Sequence, residues 1–420
     1  MTNKERHIPQ GYKDSPLGII PKEWQVKRLG DLCYNQGDYG LNAPATDYSI
    51  DLPTYLRITD IDDNGKFNSV DKKSVNSPVS KNYYLSDGDI VFARTGATVG
   101  KTYLYNVKDG QLVYAGFLIK FSPNPHLLLP YFLKAHTETQ HYNNWASVTS
   151  QRSGQPGINA TEYCSFKIAL PPIEEQKRIC SVLQLWDTAI EKQSELIEKL
   201  KLRKRALMQQ LLTGKKRLPG FSGKWKRIKL YDITERITRK NKEDNKNVVT
   251  ISAQQGFVVQ TDFFNKSVAS ETLDNYYLVH KDEFCYNKSY SNGYPMGAIK
   301  RLKSFDKAVV TTLYICFKLK NKVSVNINYF EQYCESGILN KELVKVANEG
   351  GRAHGLLNVT PSDFFNMHMR IPSIDEQNAI ATVLVNADKE IELVNEKFAN
   401  LQSQKRGLMQ QLLTGKKRIV

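Results

Sequence analysis

An exact internal repeat of eleven residues constrains this chain more than any other feature. The run LMQQLLTGKKR occupies residues 207–217 and returns at residues 408–418, about 201 residues further along a chain of 420. The same offset relates Glu175-Gln176 to Glu376-Gln377. Because about 200 residues is too long for a solenoid repeat and matches a domain with its connector, the repeat predicts a duplicated, two-domain protein.

Each copy of the repeat ends a long charged helix, and the sequence predicts the first to begin near Glu174, after a pair of prolines. Apolar residues recur there at steps of three and four, the heptad pattern of a coiled coil, which Gln193, Lys204 and Lys405 interrupt. A Thr-Gly pair ends each helix, so each spans about 40 residues, or roughly 60 Å. The predicted helix–helix seam consists of Ile179, Leu183, Trp186, Ile190, Ile197, Leu200, Leu207 and Leu211, followed by Ile380, Leu384, Ile391, Val394, Phe398, Leu401, Leu408 and Leu412.

We expect the two helices to lie antiparallel as a coiled-coil spacer, which would give the duplicated chain a pseudo-two-fold axis. The alternative, that each helix packs back on its own domain, stays open. The predicted boundaries are 1–23 for an N-terminal tail without a core, 24–172 for the first globular domain, 173–217 for the central helix and linker, 218–372 for the second globular domain, and 373–420 for the C-terminal helix.

Both globular domains are predicted to be α+β, with mixed strand and helix content. Strand-like runs of the first domain lie at 90–93, 102–105 and 112–121, before a helical stretch at about 127–145. Those of the second domain lie at 248–252, 283–287 and 308–317, before helices near 328–335 and 341–348. The two domains share almost no sequence identity beyond their flanking motifs. Matching helices that carry different domains indicate one scaffold with two binding specificities.

The charge of the chain points to a nucleic-acid partner. The formal net charge is +16 and the isoelectric point is near 9.3, and such an excess of Lys and Arg attracts phosphate backbones. The longest apolar runs, such as 308–317, fall short of the roughly 20 residues that cross a bilayer, and the first ten residues lack the apolar centre of a signal peptide. We therefore expect a cytoplasmic protein.

The sequence lacks the usual signs of catalysis. Six scattered cysteines form no CxxC motif and seven histidines form no HExxH motif, so we expect reduced thiols and no metal site. The run GATVGKT at 96–102 has three residues between its glycines where a phosphate-binding loop has four, which favours a tight glycine loop between strands over an ATP site. The acidic run at 60–63 precedes Asn64-Gly65 and predicts a turn. The chain also lacks a glycine-rich cofactor fingerprint and an adenine-methyltransferase tetrapeptide.

Loops that mix cationic, amide and aromatic side chains occur in corresponding order in both domains, and these side chains bond base edges and phosphates. The predicted DNA-binding residues are Arg57, Arg94, Thr95, Thr98, Lys101, Tyr103, Gln151, Arg152 and Gln155 in the first domain, and Gln254, Gln255, Lys288, Tyr290, Asn292, Tyr294, Arg352 and His354 in the second.

Several motifs together resemble those of the specificity subunits of type I restriction-modification systems. They are a Pro-x-x-Trp-(x)4-Leu entry at 21–29, Gly-Asp-(x)3-Ala-Arg-Thr-Gly at 88–96, Tyr-Asn-Lys-Ser-Tyr at 286–290, Pro-Pro-(x)2-Glu-Gln at 171–176, and helices that end in Gln-Gln-Leu-Leu-Thr-Gly. The resemblance covers essentially the whole chain, in the order of the family.

The resemblance implies two target-recognition domains held on two antiparallel helices, each domain binding one half of a bipartite double-stranded DNA target. It also implies two modification subunits, which carry S-adenosylmethionine and methylate adenine, and restriction subunits that use ATP and Mg²⁺ to cleave DNA. The chain itself would be non-catalytic and without a cofactor. Two other functions stay open from sequence: a coiled-coil protein-interaction adaptor, and a self-sufficient nuclease or nucleotide-dependent enzyme that uses the 96–102 loop.

Overall fold

The computed structural model describes residues 8–260, 273–321, 323–347 and 357–419. These residues form two compact units. Residues 8–193 and 397–419 form the first unit, and residues 194–396 form the second. Each unit therefore contains one globular domain and a part of each long helix, a division that the boundaries drawn from sequence did not anticipate.

From residue 8 onward, the described part of the first globular domain contains twelve short strands and three helices, apart from single 3₁₀ turns. The strands are β1 (Tyr12–Lys13), β2 (Ile20–Pro21), β3 (Gln25–Arg28), β4 (Asp38–Tyr39), β5 (Thr46–Asp47), β6 (Thr54–Leu56), β7 (Lys73–Ser74), β8 (Ile90–Ala93), β9 (Thr102–Leu104), β10 (Leu112–Tyr114), β11 (Leu118–Phe121) and β12 (Lys167–Leu170). The helices are α1 (Pro130–Thr137), α2 (Gln140–Thr149) and α3 (Ala160–Cys164).

One antiparallel sheet, in the order β4-β11-β8-β9, forms the centre of this domain. Its strand β8 is buried on both faces, which explains the continuous apolar run Ile90–Ala93. On the face covered by the helices, the Phe92 ring lies 4.9 Å from the ring of Tyr163 and 5.3 Å from that of Phe121. A second sheet, in the order β10-β6-β7-β5, extends the domain on its other side, with β10 parallel to β6.

The N-terminal segment was predicted to be a tail without a core, and this is wrong for its described part. Strands β1 and β2 form a hairpin, and Ile20 is buried in the main core of the first unit. The Tyr12 hydroxyl donates a hydrogen bond to the Gly415 carbonyl at 3.0 Å. The polar composition concealed this role, because the partners of Ile20 and Tyr12 come from a part of the chain that is remote in sequence.

Two long helices have 39 residues each: α4 (Ile173–Leu211) and the C-terminal helix (Ile374–Leu412). Each of them is divided between the two units. The second globular domain follows α4. Its strands are β13 (Lys226–Lys229), β14 (Thr234–Ile237), β15 (Val249–Ser252), β16 (Gly256–Val259), β17 (Tyr277–His280), β18 (Phe284–Asn287), β19 (Ala298–Arg301), β20 (Lys307–Val310), β21 (Ile315–Leu319) and β22 (His368–Ile371). The helices are α5 (Leu230–Ile233), α6 (Ile327–Glu335), α7 (Asn340–Val346), α8 (Pro361–Asn366) and the second long helix, α9 (Ile374–Leu412).

The central sheet and the outer strand pair of the second domain repeat those of the first. Its central sheet has the order β14-β21-β18-β19, with the same antiparallel neighbours as β4-β11-β8-β9. The outer pair β13–β22 matches β3–β12. The duplication therefore includes the globular domains, whose sequences have diverged beyond recognition, and the predicted α+β class is confirmed.

Most predicted elements occur within a few residues of their predicted positions, but two long strand predictions were wrong in detail. The run 112–121 forms β10 and β11 with a turn between them, and 308–317 is divided between β20 and β21. The helical stretch at 127–145 is likewise two helices, α1 and α2. Thr139 lies between them and begins the second, because its side chain caps α2 by accepting a hydrogen bond from Tyr142 N.

The long helices are antiparallel within each unit. In the first unit Lys405 pairs with Asp187 at 2.7 Å, while Arg418, beyond the C-terminal end of α9, pairs with Glu175, which lies earlier in α4. The second unit has the equivalent pairs Lys204–Asp388 and Arg217–Glu376. Lys204 and Lys405, which interrupt the apolar seams, are therefore matched by carboxylates of the other helix.

The repeated Glu-Gln motif has a separate task for each residue. The Glu175 carboxylate accepts two hydrogen bonds from the Arg418 guanidinium, at 2.6 and 2.9 Å, and one from Trp24 Nε1 at 3.0 Å. The next residue, Gln176, accepts from Leu129 N at 3.0 Å and donates to the carbonyl of Leu127 at 2.9 Å. Glu175 therefore binds the segment that follows α9, and Gln176 binds the globular domain.

The second copy keeps the same arrangement. Arg217 donates to both carboxylate oxygens of Glu376, and Gln377 accepts from Asn326 N at 3.0 Å. The eleven-residue repeat is therefore explained in part by its last residue, which must reach the glutamate at the start of the other helix.

All sixteen predicted seam residues are buried or half-buried. The helix ends, however, also join the domain cores: Ile179 and Leu183 share the first core with Met409, Leu412 and Leu413. Equivalent residues of the second core are Met208, Leu211, Leu212, Ile380 and Leu384. The heptad count missed the two methionines and the second leucine of each end, because a helix that packs on a partner and on a domain buries a wider stripe than a coiled coil does.

Candidate nucleic-acid interface

The two predicted DNA-binding loops of the first domain lie side by side. The loop after β8 begins at Arg94, and its Gly96 N donates to Pro156 O at 3.1 Å. Ile158 N donates to Arg94 O at 2.9 Å, and Thr95 forms an isolated β-bridge with Gly157. The main chain therefore joins residues 94–98 to residues 150–157, which are more than fifty positions away in sequence.

Arg94 stands at the centre of this junction. Its guanidinium carbon lies 4.8 Å from the centre of the Tyr39 ring, a cation–π arrangement that limits the side chain to few rotamers. Nη1 reaches the Gly116 carbonyl only at 3.5 Å, and the buried Nε has no hydrogen-bond partner within the described part of the chain. Arg94 is thus held in place by stacking while most of its hydrogen-bonding capacity is unused.

The neighbouring polar side chains are exposed or form few hydrogen bonds with the protein. Gln151 and Gln155 are exposed, and the amide of Gln155 lies next to Gly96, whose φ of +74° places it in the left-handed region. Arg152 pairs with Glu162 and donates to the carbonyl of Thr149 at 2.8 Å. A guanidinium with one carboxylate partner at the surface keeps donors available for a phosphate.

Other predicted residues of the first domain lie in different surroundings. Arg57 donates to both carboxylate oxygens of the buried Asp60, and this hydrogen bonding raises the pKa of its guanidinium. The Lys101 ammonium pairs with Asp63 at 2.6 Å, at the acidic turn that the sequence predicted. The hydroxyl of Thr98 is buried and has no partner among the described residues.

The prediction that Tyr103 binds DNA is wrong. Its side chain is buried in strand β9, where the hydroxyl donates to the Asp109 carboxylate at 2.7 Å. Burial, followed by the hydrogen bond to Asp109, raises the pKa of the phenol. The alternation of the strand places Tyr103 in the core, whereas the sequence argument had assigned it to the preceding loop.

In the second domain the loop after β18 approaches the turn between β15 and β16. The Gln254 amide donates to the Asn292 carbonyl at 3.0 Å. Gln254, Gln255, Tyr290 and Asn292 are exposed, and Lys288 is half-buried. The structure therefore brings together the two groups of residues that the sequence predicted separately.

Tyr294, the last predicted residue of this loop, faces inward. Its hydroxyl donates to Glu335 at 3.0 Å, and the Lys300 ammonium lies 4.7 Å from the centre of its ring. Burial raises the pKa of this phenol. Tyr294 therefore anchors the loop to helix α6. Arg352 and His354 lie outside the described residues, although Leu357 N donates to Lys288 O at 3.0 Å, just beyond that gap.

The register of the two central sheets places a cation at the same position in both domains. Phe92 of β8 and Tyr286 of β18 both face the helix-covered core, and two residues later the chain reaches Arg94 and Lys288. The loops that follow have different lengths and compositions. The two domains thus present one cationic position within two different polar surroundings.

Comparison with known proteins finds similar proteins of one family. Residues 21–202 match the type I restriction modification DNA specificity domain. The predicted type I restriction enzyme MjaX specificity subunit of Methanocaldococcus jannaschii is 27% identical over 448 residues, covering 98% of this chain and 97% of that protein. Residues 21–202 are therefore similar to a type I specificity domain, and the chain is similar over nearly its whole length to curated type I specificity subunits. A second relative of the same organism, the type I restriction enzyme MjaVIII specificity subunit, is 21% identical over 438 residues, covering 95% of this chain and 94% of that protein.

Solved structures of specificity subunits share the fold. One chain, from a study of complex assembly and conformational transition in a type I restriction-modification system, is 17% identical with a TM-score of 0.55, covering 95% of this chain and 99% of that chain. The specificity subunit from M. genitalium is 13% identical with a TM-score of 0.52, covering 93% and 96%. These similarities confirm the fold class that the sequence motifs implied.

Within the described residues, no cluster of three or more His, Cys, Asp or Glu side chains is arranged to hold a metal ion. None of the described helices is long and apolar enough to cross a membrane. The six cysteines are free thiols, and Cys285 and Cys316 lie opposite each other on β18 and β21 with their sulfurs 3.3 Å apart. Burial raises the pKa of Cys285, which makes this thiol unreactive.

The sequence argument missed two aromatic residues of the interface, Tyr39 and Phe117. Tyr39 supports Arg94, and its hydroxyl accepts from Ala160 N at 3.2 Å. Phe117, in the turn before β11, is 58% exposed, and its carbonyl accepts from Arg94 N at 3.0 Å. No local pattern separates these residues from core aromatics, so only the strand pairing could reveal them.

Proposed function

We propose that this chain is a type I restriction-modification specificity subunit, which binds a bipartite double-stranded DNA target, one half-site per globular domain, and scaffolds the other subunits of the complex. One observation supports this most: two domains with matching central sheets place a cation after the same central strand, within loops of different composition. A duplicated frame with divergent loops suits two half-sites of different sequence, because side-chain placement in a groove sets base preference.

The repeated helices suit a second task, binding two copies of a modification subunit. The Arg–Glu pairs and Glu-Gln motifs recur in both units, so each unit offers a similar helical surface. In this proposal S-adenosylmethionine belongs to the modification subunits, and ATP and Mg²⁺ belong to the restriction subunits. This chain then contributes recognition and assembly, and no catalytic residue.

Mapping of methylated adenines across a genome tests the proposal directly. Cells that express the chain with its modification subunit should methylate one bipartite motif, and cells that lack the chain should lose that motif. Unchanged methylation without the chain would contradict the proposal.

Gel-shift titration of a duplex that carries the mapped motif gives a second test. Arg94→Ala, Arg152→Ala and Arg352→Ala should each weaken binding, whereas substitutions of exposed helix residues should leave half-site choice unchanged. Unchanged affinity in all three arginine variants would contradict the assignment of these loops.

A further inference from the structure

Three side chains of the first domain converge at one end of the central sheet. Ala93 is paired with Leu118 at the end of the ladder, and just beyond it Arg94 N donates to the carbonyl of Phe117 at 3.0 Å, so the main chains of Arg94 and Phe117 are adjacent. Tyr39, on the neighbouring strand β4, is paired with Ile119 and stacks on Arg94. Arg94 and Phe117 are therefore close enough to contact neighbouring base pairs of one duplex.

Phe117 exposes a large apolar ring beside the half-buried Arg94. A side chain that is 58% exposed gains little from the core, and its neighbours in the sheet, Leu118 and Ile119, are fully buried. A Cβ added at Gly116, the preceding residue, would be in ordinary van der Waals contact with the exposed Asn42. The turn 115–117 thus presents an apolar surface at the place where the loops 94–98 and 150–157 meet.

The side-chain chemistry of Arg94 and Phe117 favours contact with a guanine and a thymine at adjacent base pairs. A guanidinium forms two parallel hydrogen bonds with the O6 and N7 atoms of guanine, and phenylalanine contacts the 5-methyl group of thymine, both in the major groove. A stacked guanidinium favours this planar contact, because the Tyr39 ring fixes its plane before DNA arrives. Contact with phosphate needs no such fixed plane, and a flexible lysine would serve it equally well.

We propose that Arg94 recognises a guanine and Phe117 the methyl group of an adjacent thymine in the half-site bound by the first domain. Tyr39 is the positioning residue that holds the guanidinium plane. This inference rests on the proposed function, and it assigns base identities to one half-site.

The test uses the full-length chain with its modification subunit and a duplex that carries the mapped motif. In the wild type, 7-deazaguanine at the contacted guanine removes the N7 acceptor and should weaken binding about tenfold. Deoxyuridine in place of the thymine removes one methyl group and should weaken binding about fourfold. In Arg94→Ala the 7-deazaguanine should have no further effect, and in Phe117→Ala the deoxyuridine should have none.

Two further variants separate base contact from charge and from structure. Arg94→Lys should keep binding to non-specific DNA but lose the preference for guanine, and Tyr39→Leu should lose part of that preference with the arginine still present. Lys288→Ala is the matched control, because its effects should fall on the other half-site. Melting curves for each variant show whether the domain remains folded.

Three outcomes would overturn the inference: a first half-site without a thymine–guanine step, an Arg94→Ala variant that still senses 7-deazaguanine, or equal weakening of all duplexes, which indicates a phosphate contact. Failure of the wild type to prefer any duplex would instead contradict the proposed function itself. The two failures are therefore distinguishable.

Discussion

At the scale of single residues, His136 couples the stability of the first unit to pH. The imidazole is buried in helix α1, edge-on to the Phe132 ring, and its Nε2 has no partner among the described residues. Burial, with a smaller contribution from His141, lowers the pKa of His136 from 6.5 to about 3. Between these two values the unfolded chain binds a proton that the folded chain does not. Stability due to the neutral ring is therefore present above pH 6.5 and is lost as the pH falls toward 3.

We expect the melting temperature of the full chain to fall between about pH 7 and about pH 5. A His136→Phe variant, which cannot take up the proton, should show a smaller fall over the same interval. Calorimetry of both proteins in matched buffers measures the difference. Equal falls would show that other groups control the acid response.

A second prediction at this scale concerns the two repeated tryptophans. Trp24 Nε1 donates to Glu175 at 3.0 Å, whereas the equivalent Nε1 of Trp225 is buried without a partner among the described residues. A double-mutant cycle of Trp24→Phe with Glu175→Gln should give a coupling of about 1–3 kcal/mol in urea denaturation. The matched cycle of Trp225→Phe with Glu376→Gln should give a coupling close to zero. Similar couplings in both cycles would contradict the assigned hydrogen bond.

At the scale of elements, the ends of the long helices differ in one respect although their sequences are identical. Gly214 and Gly415 both have positive φ, +71° and +70°. A Cβ at Gly415 would overlap Pro21 Cδ, whereas the nearest neighbour of a Cβ at Gly214 would be the Trp225 ring, at 3.4 Å. The same residue is therefore enclosed more tightly in the first unit.

Alanine at either glycine should cost about 1–2 kcal/mol for the left-handed backbone alone. Gly415→Ala should cost distinctly more than Gly214→Ala, because the hairpin that contains Pro21 must also move. Hydrogen exchange can assign each loss to its unit. Equal losses would mean that the hairpin adjusts without strain.

The same elements show how far sequence could predict the structure. The long helices, their Thr-Gly ends and the class of both domains followed from periodicity and the repeat, since these signals are local. The partners of Lys204 and Lys405 did not follow, because nothing in a heptad count states which carboxylate of the other helix lies opposite. The interface was predicted as separate loops, and strand register alone revealed that Tyr39 and Phe117 complete it.

At the scale of the whole molecule, the proposed function requires that each domain determine its own half-site. We expect Gln254→Ala combined with Asn292→Ala to change the second half of the methylated motif and to leave the first half and the spacing intact. Both side chains are exposed at the junction of the β15–β16 turn with the loop after β18. Methylation mapping reports both halves at once, and a change in the first half would contradict this division of labour.

The core of the first unit includes Met409, Leu412 and Leu413, which follow its globular domain by more than two hundred residues. A ribosome that adds about 5–20 residues per second reaches them on the order of tens of seconds after it completes that domain. Meanwhile the entire second unit, residues 194–396, emerges as one uninterrupted segment. During this time part of the apolar core of the nascent first domain stays uncovered. Chaperone binding and translation speed should therefore affect the folding yield of the first unit more than that of the second unit.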